Sequence, residues 1–228
     1  MKPYPVFLEI GTKRIYAGGV DWPGWYGHGR DEQSALRSLL TYAPRYEQAI
    51  RSVHLGFTPP TQIDRLTVLE RLPGNATTDF GAPDVPPLAD AQPLDEQTLH
   101  QFTALFDASW QTLQMTYQAA IGKDLRKGPR GGGRELTAII GHVLDAHTSY
   151  LRRIQWKAQR DSSDTLDAAL VRMAQETKRA LSAVLTHGLP ERGPRGGAIW
   201  PPRAFARRAA WHILDHIWEI EERQIERD

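Results

Sequence analysis

The pattern of apolar and polar positions changes character about a third of the way along the chain. YPVFLEI (4–10) and RIYAGGV (14–20) are short runs of aromatic and β-branched residues separated by a Gly-containing turn, which predicts two strands. DWPGWYGHG, from position 21, supplies a Pro-Gly turn at 23–24 and room for a third strand. From Asp31, a good N-cap, DEQSALRSLLTYAPRYEQAI predicts a helix broken or kinked at Pro44. IDRLTVLERL (63–72) is a further strand candidate, and strands with one helix in this order predict a small α+β unit.

Between 73 and 93 the sequence PGNATTDFGAPDVPPLADAQP has almost no periodicity and is rich in Pro and Gly, as expected of a linker or of an ordered wrap across the surface. Beyond it the periods become helical over 94–121, 134–158, 164–187 and 201–226, with GPRGGG, DSSD and GPRGG in the gaps. Four helices of that length predict a bundle. The expected organisation is therefore an α+β module over 1–75, a linker over 76–93 and an all-α four-helix bundle over 94–228.

Composition narrows the chemistry. At 228 residues the chain can bury a real core, and its 28 basic side chains nearly balance 27 acidic ones. A net charge of +1 argues against nucleic acid as a partner. No cysteine is present, so any metal must be held by imidazole and carboxylate. MKPYPVFLEIG has no apolar run of signal-peptide length and no window reaches the roughly 20 apolar residues of a membrane span, so a cytoplasmic location with no membrane partner is expected.

GPRGG occurs at 128–132 and again at 193–197, and each copy precedes a helix with a similar phrase, HVLDAH at 142–147 and HILDH at 212–216. Half of the eight histidines lie in those two phrases. At about 100° per residue His212 and His216 share one face and flank the apolar arc of Ile213, Ile217 and Ile220. In the earlier helix Leu136, Ile139, Val143, Tyr150 and Ile154 define the buried stripe; His147 falls inside it and His142 at its edge. Those two rings are about 140° apart, so an unbroken helix presents only one of them to a metal shared with the pair, and spacing does not choose which. Three histidines leave an open coordination position, the arrangement of a catalytic zinc-type site rather than a structural one.

GRELTAIIGHVLDAHTSYLRRI and RRAAWHILDHIWEIEER together resemble the DinB-like, or YfiT-like, superfamily of metal-binding four-helix bundles, over about 130 residues. The resemblance assigns the ligands to His142, His212 and His216. It implies a divalent metal, zinc or nickel, and thiol transferase, isomerase or hydrolase chemistry on a small-molecule substrate, with a low-molecular-weight thiol as cofactor. The usual glutamine-like residue after the histidine pair is replaced here by IWEIEER. Around the site, Asp145, Asp215 and Glu219 are candidate carboxylates to orient the ligands, with His147 beside them. Arg130 and Arg195, in the GPRGG loops, are candidates for binding an anionic substrate group. The reading requires the ring of His142 to lie within about 6 Å of the other two.

IYAGGVDWPGWYGHGRDEQSALRSL resembles the HicB-like fold over about 45 residues, with DWPG, GHG and DEQSAL at the places of its turn, its glycine-containing strand and its helix start. That resemblance implies a binding or oligomerisation module, and a homo-oligomer is one expected partner state. Trp211 and Trp218 form a stripe nearly opposite the isoleucine arc, which something must cover; Trp200 is a candidate to join them. The competing expectation is a non-catalytic interaction protein whose histidines are structural.

Overall fold

The computed structural model describes residues 3–127, 133–193 and 197–225. The architecture is α+β, with a four-stranded mixed sheet near the N-terminus followed by long helices. The chain divides into two units, Met1–Pro93 with Pro201–Trp211, and Leu94–Trp200 with His212–Asp228.

In the first unit β1 (Tyr4–Ile10), β2 (Ile15–Gly19), β3 (Tyr26–Gly29) and β4 (Leu66–Pro73) lie in the order β3-β2-β1-β4. The β1–β2 and β2–β3 pairs are antiparallel, and β4 runs parallel to β1, with a register shift after Val6. Helix α1 (Glu32–Ile50) starts in a capping box between Asp31 and Ser34. It packs against β3 at two glycines: a Cβ on Gly27 would overlap the backbone nitrogen of Leu39, and one on Gly29 would overlap Ser34 and Ala35. GHG thus leaves the two positions that face α1, Gly27 and Gly29, without side chains so that the helix can approach, while the turn before it uses Gly24 at φ 90°.

Of the break or kink expected at Pro44, the break is absent: α1 runs through it as one helix. Pro44 forfeits one i→i−4 hydrogen bond, but Leu39, Ala43 and Tyr46 on the same helix are fully buried and the Tyr46 hydroxyl donates to the Pro23 carbonyl at 3.0 Å. Packing on both sides of the proline holds the helix together.

Residues 76–93 belong to this unit. They contain a short helix α2 (Ala76–Phe80), capped by Asn75, and are tied down by bonds that have no local period. The buried Glu9 carboxylate accepts from the Thr78 hydroxyl and from the backbone N–H of Asp84 at 2.9 and 3.0 Å. Burial pushes its pKa above the ordinary carboxylate value. Glu70 accepts from the Leu88 N–H, and buried Asp90 takes a two-bond contact from Arg207 at 2.7 and 2.8 Å. Arg207 also donates to the carbonyls of Gly19 and Val20 and lies over the Phe7 ring, 5.1 Å from its centroid.

The second unit is helical, built from α3 (Glu96–Ala120), α4 (Leu136–Arg153), α5 (Leu166–His187) and the C-terminal part of α6 (Pro202–Arg223). Helix α5 packs on both α3 and α4. Phe106, Leu113, Ile139, Ile140, Val143, Leu181, Ile213, Leu214 and Ile220 are fully buried, so each helix commits an apolar stripe to the interior. Among the described residues no helix is long and apolar enough to cross a membrane.

Candidate metal centre

Two helices build the site. On α6, His212 and His216 stand one turn apart, each only 7% exposed, beside the fully buried Ile213 and Ile220. On α4, His142 is half-buried at the edge of the stripe formed by Ile139, Val143 and Leu151. The Nε2 atoms of His212 and His142 are 3.3 Å apart, and those of His216 and His212 are 3.2 Å apart. His142 lies 5.1 and 5.0 Å from the other two rings, centroid to centroid, within the separation the sequence reading required. One nitrogen from each ring falls inside a common 4.8 Å span, close enough to bind one metal ion.

The protonation pattern follows from the partners. His216 Nδ1 is 2.7 Å from a Glu219 carboxylate oxygen. A carboxylate only accepts, so Nδ1 carries the proton and Nε2 turns a lone pair toward the other two rings when the imidazole is neutral. Burial, together with the neighbouring His216 and Arg134, lowers the pKa of His142 and favours its neutral form. With the imidazoles neutral, His216 Nε2 carries no proton, so its 3.2 Å approach to His212 Nε2 is satisfied either by an N–H on His212 or by a shared cation.

Two of the spacings match those around a tetrahedral cation. Zinc–nitrogen bonds of about 2.0–2.1 Å in tetrahedral geometry put ligand nitrogens about 3.3–3.4 Å apart, against the 3.2 and 3.3 Å found here. A neutral three-imidazole set suits a borderline-soft divalent ion and leaves a coordination position for a further ligand.

Glu219 accepts from His216 through one oxygen and from Arg223 Nη1 through the other, at 2.6 Å. The His216 hydrogen bond, and then Arg223, hold its pKa below the ordinary carboxylate value in spite of burial. Arg223 carries no motif of its own, and its only sequence signal is the i, i+4 spacing to Glu219. Aromatic side chains flank the other side of the cluster. Tyr150 meets His212 edge-on at 5.6 Å, and Trp200 stacks on Tyr150 at 5.5 Å with the Arg153 guanidinium 5.6 Å from its ring centroid.

The remaining sequence candidates separate. His147 is not beside the cluster: it is buried, with Nε2 2.8 Å from Thr177 Oγ1 and its ring against Trp110 and Phe106. Asp145 is exposed and pairs with Arg160 at 2.7 Å, and Asp215 is exposed on the outer face of α6. Arg130 and Arg195 lie outside the described residues. Of the tryptophans, Trp211 meets Tyr16 edge-on at 6.4 Å, Trp200 meets Tyr150, and Trp218 is buried.

No protein-family model matches the chain, and neither a curated protein nor a solved structure does.

Proposed function

We propose that α3 to α6 form a DinB-like four-helix bundle that holds one divalent cation, zinc or nickel, on His142, His212 and His216, and that the chain is a metal-dependent enzyme of the thiol transferase, isomerase or hydrolase type. The observation that carries this reading is the convergence of three imidazole nitrogens within 4.8 Å of one another, with His212 Nε2 at 3.3 Å from that of His142 and 3.2 Å from that of His216. When bound, the cation supplies Lewis acidity that lowers the pKa of a thiol or water in its open position.

The protein's own part is orientation. Glu219 keeps the proton on His216 Nδ1 and so keeps Nε2 available. Partial burial favours the neutral form of His142. Tyr150 and Trp200 offer an aromatic wall against which the apolar part of a small-molecule substrate can lie beside His212.

The N-terminal unit, on this reading, is a HicB-like binding or oligomerisation module. Its exposed Leu69, Phe80 and Leu88, at 58%, 74% and 76% exposure, favour a protein partner or a second copy of the chain and keep a non-catalytic interaction role as the second reading.

Metal content separates the two. Chain purified without a histidine tag is expected to carry close to one zinc or nickel per molecule, and His212→Ala with His216→Ala is expected to lose it while far-ultraviolet dichroism stays unchanged. Cobalt-loaded protein titrated with a small thiol then tests the chemistry: a new sulfur-to-cobalt absorption supports the thiol branch, and an unchanged spectrum removes it. Metal-free protein whose melting is indifferent to chelators supports the interaction role.

A further inference from the structure

Arg223, the last residue of α6, is the hub of a bonded group that reaches from the histidine cluster to a distant stretch of chain. Its Nη1 donates to Glu219 Oε1 at 2.6 Å, its Nε to the Arg126 carbonyl at 2.8 Å and its Nη2 to the Arg134 carbonyl at 3.0 Å. The side chain is 11% exposed. Around it the chain flanking Arg126 is paired with the end of α6: Arg126 N–H donates to the Arg223 carbonyl at 2.7 Å, Ile225 N–H to the Asp124 carbonyl at 3.0 Å, and Leu125 bridges Gln224 in antiparallel fashion. Arg126 Nη2 adds a bond to the Glu222 carbonyl.

A planar guanidinium has a fixed fork of donors, so satisfying three acceptors at once constrains all three positions. One of those acceptors is the carboxylate that fixes the tautomer of His216. The other two are backbone carbonyls on either side of the first GPRGG copy. A movement of Arg126 or Arg134 therefore shifts Arg223, then Glu219, and then the direction in which His216 Nε2 points.

We infer that Arg223 is a positioning residue that couples metal binding at the histidine cluster to ordering of the chain around Arg126 and Arg134. This rests on the proposed metal reading and extends it to regulation: whatever displaces Arg126 or Arg134 changes metal affinity, and by linkage the metal changes the order at those two residues by the same factor. The two carbonyls distinguish the role from that of a simple counter-ion, because a lysine at 223 keeps a charge beside Glu219 and loses the fork.

The test uses the full-length, tag-free chain with zinc alone as the probe. Zinc affinity is measured by competition with a chelating indicator, and amide exchange at Arg126 is followed with and without zinc, in the wild type, Arg223→Met and Arg223→Lys. Arg223→Met is expected to bind zinc about 10- to 100-fold more weakly, and to lose the zinc-dependent slowing of exchange at Arg126 that the wild type shows. Arg223→Lys is expected to recover part of the affinity and none of that slowing; it carries the test alone if Arg223→Met does not fold. Both variants binding zinc within about twofold of the wild type, with zinc-dependent protection intact, overturn the coupling while leaving the metal site standing. A wild-type chain that takes up no zinc overturns the metal reading and the coupling together.

Discussion

His147 and Thr177 are joined across α4 and α5 by a 2.8 Å contact between Nε2 and Oγ1, in a place where the imidazole is 1% exposed. Only five positions along α4, His142 faces two other imidazoles instead. The same residue type therefore has two fates on one helix, decided by what the opposite helix presents: a hydroxyl to one ring, a pair of nitrogens to the other.

That burial sets a pH dependence. Desolvation pulls the pKa of His147 from 6.5 down to about 3. A ring that stays neutral in the folded state and titrates near 6.5 when unfolded contributes stability that is fully present above pH 6.5 and is lost as pH falls toward 3. The expected loss attributable to His147 approaches tenfold in the folding equilibrium constant per pH unit in that window. Urea melts at pH 7, 6, 5 and 4 measure it against His147→Gln, whose stability is expected to fall less steeply. Equal slopes for the two proteins contradict the assignment.

The Arg207–Asp90 pair is a second buried commitment, with side chains 4% and 3% exposed. Removing one partner leaves a charge in the interior, so Asp90→Asn is expected to destabilise the protein by about 3–5 kcal/mol. Replacing both with apolar residues removes the buried charge but takes the Arg207 donors from the Gly19 and Val20 carbonyls, so it is expected to recover only part of that loss. Denaturation of the single and double variants checks this; a single variant as stable as the wild type means that the pair adds nothing to the first unit.

Gly27 is expected to tolerate no side chain. Its Cβ direction runs into the backbone of Leu39, which cannot rotate away, so Gly27→Ala must separate α1 from β3. The expected cost is about 3 kcal/mol or more, well beyond the usual effect of adding a methyl to a strand. Gly141→Ala is the control, since no atom lies within 4 Å of the added Cβ. Similar melting of the two variants contradicts the close-packing argument.

The strands and long helices were legible because their signals are local: the aromatic and β-branched run in YPVFLEI, and helical spacing through Ile213, Ile217 and Ile220. His212 and His216 were legible as a pair for the same reason. What lay beyond the sequence depended on distant partners. Residues 76–93 look featureless because their anchors, Glu9, Glu70 and Arg207, are supplied from elsewhere in the chain. The continuity of α1 through Pro44 rests on the burial of Tyr46 and its bond to Pro23, which propensity does not record. Thr177, which claims His147, and the carbonyls of Arg126 and Arg134, which claim Arg223, are likewise invisible to spacing. The resemblance selected His142 over His147, and the structure brings His142 to the pair.

The central claim is that His142, His212 and His216 share one cation. X-ray absorption at the metal edge of zinc-loaded, tag-free protein addresses it most directly. The account predicts three imidazole nitrogens at about 2.0–2.1 Å around a four-coordinate ion, reduced by one imidazole in His142→Ala. A shell made of oxygen alone, or an imidazole count that does not change when His142 is removed, contradicts it.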